Sequence, residues 1–187
     1  MSKMDVDGSL PEGLDTNPRM CRCIPLTEVD NAVLLGGLAL WQDLKGERRY
    51  PPRSAITPRM MKPILRNTTL LRVVNGGEDY EYRIVGDAYV MAHGQSFQGK
   101  RWSETASLSP GFYKFIKPVY DRVVQGGEPL ALRGWIERGG ASTGHVYCEY
   151  VYLPLGEDCV GHILAVAVYL RSDGREHVRE TQSSFTI

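Results

Sequence analysis

An excess of charge of either sign is the first thing that this sequence lacks. Its 187 residues include 22 lysines and arginines and 22 aspartates and glutamates, so the formal net charge is zero. A general positive field for nucleic acid or for an anionic membrane needs a basic excess. The composition therefore argues against nucleic acid as a partner. We interpret the densest basic cluster, between Lys45 and Lys62, as a solvated surface.

Long hydrophobic runs are missing as well. The longest run extends from Ala32 to Leu40 and contains two glycines, whereas a membrane-spanning helix needs about 20 apolar residues. The first residues, MSKMDVDGSLPEG, are acidic and polar, unlike a secretory signal peptide. These features predict no membrane span and a cytoplasmic location.

Cysteine is sparse and unsuited to structural zinc. Cys21 and Cys23 are separated by one residue, while Cys148 and Cys159 stand alone. No CxxC pair occurs and no histidine lies at zinc-finger spacing, so no metal site is expected. Free thiols are expected instead, because disulfides are rare inside cells.

Recognisable catalytic motifs are absent. The glycines Gly94 and Gly99 precede Lys100-Arg101, which lacks the hydroxyl residue of a phosphate-binding loop. No Gly-x-Ser-x-Gly elbow is present. The loop that ends at His145 brings hydroxyls near an imidazole but offers no orienting acid. The sequence therefore predicts no catalytic residue and no enzyme.

Length and composition indicate one domain with two polar ends. Residues 1–27 contain several prolines and glycines and few large apolar groups, which predicts a flexible arm. Residues 28–172 hold the apolar patterns of a folded domain, and residues 173–187 form a polar tail.

Helical spacing of apolar residues predicts two helices ahead of the main pattern. The first covers Glu28 to Lys45, with Asp30 as its cap and Gly46 as its stop. A second short helix begins at Thr57-Pro58, because proline is favoured in a first helical turn.

From Leu70 the apolar period changes to two, which indicates strands. Strands at Leu70–Asn75 and Tyr80–Gly86 form a hairpin around Gly76-Gly77, since glycines tolerate the turn conformation. Two helices and three strands follow, at Asp87–His93, Phe112–Gln125, Leu130–Glu137, His145–Leu155 and His162–Leu170. Pro118 either kinks the second of these helices or moves its start to about Lys117. This order predicts an α+β fold with a five-stranded antiparallel sheet, helices on one face and an N-terminal helical cap.

Several motifs occur in a familiar order. They are Trp41 near the end of the first helix, a basic-Pro-x-Arg turn within RRYPPR (48–53), RIVG (83–86), GQSFQGK (94–100), YVYLPL (150–155) and GHILAVAVYL (161–170). Together they resemble a PAS-like family of small, often stand-alone bacterial proteins. The resemblance covers residues 28–172, with a core at about 70–171.

The resemblance implies a regulatory rather than a catalytic role. PAS domains bind small ligands between sheet and helices, dock proteins or dimerise. The chain is therefore expected to be a sensory or protein-docking module of a signalling pathway, with a protein partner, a small-molecule ligand and a homodimeric state. The cofactor is unknown. The alternative is a small enzyme or ligand carrier on a cone-like α+β fold.

A ligand pocket needs apolar walls and a few polar groups. The candidates are Tyr82, Arg83, Tyr89, His93, Trp135, Tyr147, Tyr150 and Tyr152. Strand alternation assigns Arg133, Trp135, Cys148, Tyr150 and Tyr152 to one face, and Leu132, Ile136, Tyr147 and Val151 to the other. The alternative is that these aromatic residues simply pack the core.

Two candidates carry further expectations. Arg83 lies between apolar neighbours, so burial would require a carboxylate from Glu81, Asp87 or Glu149, or an anionic ligand. A structural salt bridge is the favoured interpretation. His93 raises the alternative of a bound haem, which one imidazole supports only weakly.

Overall fold

The computed structural model describes residues 21–108, 110–137 and 145–170. Within these ranges, short 3-10 turns connect six strands and five α-helices. The strands are β1 Arg22–Ile24, β2 Thr68–Val74, β3 Asp79–Val85, β4 Leu130–Glu137, β5 His145–Gly156 and β6 Val160–Leu170. The helices are α1 Ala32–Lys45, α2 Pro58–Met61, α3 Asp87–His93, α4 Trp102–Thr105 and α5 Pro110–Gly126.

All described strands form one antiparallel sheet, in the order β1-β4-β5-β6-β2-β3. The predicted α+β class is therefore confirmed. The two longest strands, β5 and β6, lie at the centre and pair from Tyr147–Leu170 to Gly156–Val160. The hairpin of β2 and β3 forms one edge, and β1 forms the other.

The sheet has six strands, not the five that were expected. The additional strand, β1, comes from the end of the segment predicted as a flexible arm and pairs with β4 through Cys23 and Leu132. Its three residues carry no alternation of their own, and only the adjacent β4 makes them a strand. Residues 1–20, the predicted loop at 138–144 and the predicted tail at 173–187 lie outside the described residues.

Helices cover both faces of the sheet, whereas the sequence predicted one. Helices α3, α4 and α5 pack on a face rich in tyrosine, here called the aromatic face: Leu71, Tyr80, Tyr82, Leu130, Leu132, Ile136, Val146, Cys148, Tyr150, Tyr152, Ile163, Ala165, Ala167 and Tyr169. Helix α1 packs on the opposite, aliphatic face: Leu70, Ala131, Val151, Leu153, Leu155, Val160, Leu164, Val166 and Val168. Both faces carry apolar side chains, so each needs a cover.

Helix α1 begins at Ala32, one residue later than a cap at Asp30 would place its start. Asn31 is the cap, and its side chain accepts a hydrogen bond from the Val33 backbone N–H at 2.9 Å. Asp30 instead forms an ion pair with Arg133 at 3.0 Å. The predicted stop at Gly46 is confirmed, with a positive φ of 53°. No helix in the described ranges has the length and apolarity that crossing a bilayer requires.

Two contacts anchor α1 to the sheet. The indole N–H of Trp41 donates to the Pro154 carbonyl of β5 at 2.8 Å. At Gly37 the helix approaches β6 so closely that an added Cβ would lie 2.8 Å from Val166 Cγ2. The neighbouring Gly36 has more space, since its nearest atom would be Ile64 Cγ2 at 3.7 Å.

We expect G37A to destabilise the protein by about 1–3 kcal/mol, because the new methyl group overpacks the contact with β6. The matched variant G36A adds the same group at an ordinary van der Waals distance from Ile64, and we expect it to stabilise the helix by up to about 1 kcal/mol. Urea unfolding at pH 7 measures both changes. Equal effects of the two variants would show that the close approach at Gly37 is not constraining.

Candidate functional site

The aromatic face and its helices form one continuous cluster of rings. Alternation along β3 places Tyr80 and Tyr82 on this face, and alternation along β5 does the same for Tyr150 and Tyr152. The helices contribute Tyr89 and His93 from α3, Trp102 from α4, and Phe112 and Tyr120 from α5. The site is therefore built where three helices meet the sheet.

Trp102 lies at the middle of this cluster and is 2 % exposed. Its ring stacks on Tyr82 with centroids 6.1 Å apart and contacts Tyr120 edge-on at 4.9 Å. Phe112 and Tyr113 of α5 complete its surroundings at 5.8 and 5.2 Å. Such edge and offset contacts add stability beyond the buried area. Helix α4 is thus held by one large side chain.

The buried tyrosine hydroxyls mostly find partners. Tyr82 and Tyr89 share a hydrogen bond at 3.1 Å, and Tyr150 and Tyr169 share one at 2.6 Å. Tyr80 donates to Asp121 of α5 at 2.7 Å. Burial raises the pKa of each of these hydroxyls above its ordinary value. At neutral pH they are uncharged donors and acceptors.

His93 is fully buried among rings. It stacks on Tyr89 with centroids 4.2 Å apart and meets Tyr169 edge-on at 5.7 Å. Phe112 approaches it at 5.4 Å. A haem iron would need the space that these three rings occupy, so the geometry does not favour haem at His93.

A small cavity opens beside Trp102. Its volume is about 20 Å³, which is room for about one water molecule. The lining residues are Tyr82, Tyr89, Phe97, Trp102, Thr105, Ala106, Phe112 and Tyr113. The Trp102 Nε1–H is buried and has no hydrogen-bond partner among the described residues. An unpartnered buried donor costs about 1–3 kcal/mol.

The structure brings five of the eight predicted pocket residues together. Tyr82, Tyr89, Tyr150 and Tyr152 belong to the cluster on the aromatic face, and His93 packs against it through Tyr89 and Tyr169. Two of them, Tyr82 and Tyr89, line the cavity itself. The prediction located the tyrosine-rich interior but not the position of the cavity.

Trp135 and Tyr147 lie elsewhere. They pair directly across β4 and β5 and contact each other edge-on at 5.6 Å. Alternation from Ala131 and Val151 puts them on the aliphatic side, away from the cluster. The expectation that Arg133 and Trp135 share a face with Tyr150 was wrong, because the register gives that place to Leu132 and Ile136.

Arg83 also lies outside the cluster. Its side chain is 53 % exposed and forms an ion pair with Glu81 at 2.6 Å. Glu81 contacts Arg72 as well, and hydrogen bonding from Arg83, with a further contribution from Arg72, holds the pKa of the carboxyl below its ordinary value. The expected salt bridge between Arg83 and Glu81 is present. The Arg83 side chain is exposed, however, so burial is not the reason for this ion pair.

Sequence reasoning missed Trp102 and α4. The predicted elements pass from Asp87–His93 to Phe112–Gln125, with no helix between them. A signal was available in Glu104, three residues after Arg101, whose carboxylate accepts a hydrogen bond from the Arg101 backbone N–H at 2.6 Å. This is half of a capping box and marks the start of a helix.

Further observations bear on the chemistry of the site. In the ranges that the structure describes, no three His, Cys, Asp or Glu side chains are grouped to hold a metal ion. Comparison with protein-family models finds no match for this chain, and comparison with curated proteins finds none either. Its function therefore has to be argued from the fold and from the site.

We expect the protein to lose stability as the pH rises above about 10. Tyr82, Tyr120, Tyr150, Tyr152 and Tyr169 are buried with pKa values well above the ordinary 10.0. The unfolded chain releases these protons near pH 10 and the folded protein retains them. Each such group therefore lowers the free energy of unfolding by about 1.4 kcal/mol per pH unit in that window.

Urea unfolding between pH 7 and pH 11 measures this loss, and tyrosinate absorbance measures the ionisation directly. Below pH 9 the contribution of these tyrosines should be constant. If all ten tyrosines of the folded protein ionised together near pH 10, the buried hydroxyls would not have the raised pKa values described above.

Proposed function

We propose that this chain is a regulatory module of the PAS type that binds a small molecule between its sheet and helices α3–α5. The order of the elements supports this proposal. Along the chain, β2 and β3 are followed by helices α3–α5 and then by β4, β5 and β6, and all of these strands belong to one antiparallel sheet. The PAS-like motifs, which follow the same order along the chain, support it as well. The observation that carries it is the cavity beside Trp102, whose indole N–H has no partner in the described part of the chain.

The lining suggests the chemistry of the ligand. It consists of aromatic rings, two small side chains and hydroxyls, and none of its residues is charged. A charged ligand would be desolvated there without compensation. The ligand that fits best is a neutral, flat molecule with a hydrogen-bond acceptor for Trp102 Nε1–H.

Binding such a ligand requires α4 to move. Ligand pockets usually exceed about 300 Å³, whereas this cavity has about 20 Å³. Helix α4 is only four residues long, and the turn Ala106–Leu108 follows it. Displacing this short segment opens the cavity, and the ligand then shifts the population of two arrangements of α4 and α5. That shift is the signal in our proposal.

The alternative, a small enzyme on a cone-like fold, has less support. A catalytic site needs an acid and a base within hydrogen-bond reach of a substrate. Burial raises the pKa of Tyr82 and Tyr89 above the ordinary value, so neither of these two hydroxyls is a base at neutral pH. A ligand carrier would use the same cavity as the proposed sensor.

To test the ligand site, we choose acetophenone as a neutral aromatic probe with one carbonyl acceptor. Binding to the wild-type protein should shift the Trp102 indole N–H resonance in the NMR spectrum. This resonance is assigned by its absence from the spectrum of W102F. In A106L the added side chain fills the cavity, so binding should weaken at least tenfold. The matched variant A55L changes a half-buried alanine in another 3-10 turn and should bind like wild type.

Native mass spectrometry with an absorbance spectrum of the purified protein complements the titration. A co-purifying molecule that A106L loses and A55L keeps would identify the natural ligand. A shift at Trp41 or Trp135 instead of Trp102, or equal binding by A106L, would contradict the proposed site.

A homodimer formed through α1 is the second part of the proposal. The outward side of α1 carries Leu35 at 44 % exposure, and the nearby Met60 and Leu65 are exposed at 39 and 37 %. Gly36 lies next to Ile64, which brings the segment that carries Met60 and Leu65 against α1. A helix that is apolar on both sides requires a cover on both sides.

We expect L35E to convert a dimer into a monomer in sedimentation velocity, because the charge would be buried at the interface. L108E alters a leucine of similar exposure, 52 %, on the opposite side of the sheet beside α4, and should leave the dimer intact. A wild-type monomer at high concentration would contradict dimerisation while leaving the ligand site unaffected.

A further inference from the structure

Two buried cysteines meet at the β1 end of the aromatic face. Cys21 is 1 % exposed and Cys148 is fully buried, and both thiols are free. Neither belongs to the cavity beside Trp102. Their proximity depends on β1, the additional strand that the sequence did not predict.

Strand register brings the two side chains together across a glycine. Cys21 precedes β1, and its backbone N–H donates to the Trp135 carbonyl at 3.1 Å, while Arg22 pairs with Arg133. Continuing the Arg22–Arg133 register places Cys21 at the level of Trp135 and Gly134, and Gly134 pairs with Cys148 on its other side. Because the residue between them has no side chain, the two thiols share the space above it.

The thiols are close but cannot form a disulfide in this arrangement. The Cys148 thiol donates a hydrogen bond to the Gly134 carbonyl at 3.4 Å. Its pKa is raised mainly by burial and, to a smaller extent, by hydrogen bonding with Cys21. Their backbones are two strand spacings apart, or roughly 10 Å. A disulfide needs Cα atoms within about 7 Å.

We propose that Cys21 and Cys148 form a two-coordinate site for a soft, thiophilic cation of the Cu(I) type. Two metal–sulfur bonds of about 2.3 Å span roughly twice the length of a disulfide bond. Soft thiolate ligands select Cu(I) over harder cations. The ion replaces the two thiol protons, which leave to solvent, no electron is transferred, and the bound unit carries one negative charge.

Tyr152 supplies a second observation at this site. Its hydroxyl is fully buried and has no hydrogen-bond partner among the described residues. Tyr152 lies on the same face of β5 as Cys148, four residues further along the strand. Burial raises its pKa most, followed by Tyr120 and then by Cys21 and Cys148. An O–H donor near a buried negative unit stabilises it, as outer groups do around metal ligands.

The ion has a route to the buried thiols. Strand β1 is three residues long, lies at the sheet edge and pairs with β4. Separating this short strand from β4 exposes Cys148 without disturbing the central pairing of β5 and β6. The cysteines Cys23 on β1 and Cys159 in the β5–β6 turn remain as natural controls, one half-buried and one exposed.

The test is anaerobic competition of the full chain with a chromophoric Cu(I) chelator. Wild type should remove one Cu(I) per chain, and C23A and C159A should match it within about threefold. Loss of a group that only supports a metal ligand lowers metal affinity by ~10–100-fold. C21A and C148A each remove a ligand, so their Cu(I) affinity should fall by more than that. Y152F removes only a supporting hydroxyl, so its loss of Cu(I) affinity should lie within that ~10–100-fold range.

X-ray absorption of the Cu(I) protein should show two sulfur neighbours and no nitrogen or oxygen. Thermal unfolding of each copper-free variant controls for folding, and if C148A does not fold, C21A decides, because it leaves β5 intact. Unchanged affinity in C21A, or an equal loss in C23A or C159A, would overturn the proposal in favour of surface thiol binding.

Discussion

The pairing of β5 with β6 is the interaction on which the rest of this fold depends. These strands are the longest in the sheet, and their side chains are buried on both faces along most of their length. Alternation then divides one pairing into two cores. Tyr150 and Tyr152 point to one side and Val151 and Leu153 to the other. Each core demands helices of its own, which explains why α1 and α3–α5 lie on opposite faces.

The two cores differ in chemistry, and this difference separates their roles. The aliphatic core is built mainly from valine and leucine side chains on its sheet side and accepts α1 at the very close approach of Gly37. The aromatic core contains hydroxyls and an indole that need partners. Tyr82 with Tyr89 and Tyr150 with Tyr169 satisfy each other. Trp102 Nε1 and the Tyr152 hydroxyl have no partner within the ranges that the structure describes, and they mark where this side can accept something more.

Local patterns predicted most of the elements well. The predicted bounds of α3 and β4 agree with the structure residue for residue, and β5 differs by one residue. The helix around Pro118 and the hairpin closed by Gly76-Gly77 were also predicted to within about two residues. In each case the apolar period or a turn residue is a local signal that does not depend on distant contacts. Helix α4, which was missed, is one turn long and too short for such a period.

By itself the sequence determined the α+β class, the order of the elements and a tyrosine-rich interior, because these follow from local propensity and alternation. Only the tertiary structure decided which residues share a face. Register placed Leu132 rather than Trp135 beside Tyr150, left Arg83 at the surface, and brought Cys21 to Cys148 across Gly134. Register depends on how distant strands pair, and a shift of one residue exchanges the two faces. Periodicity alone carries no information about that pairing.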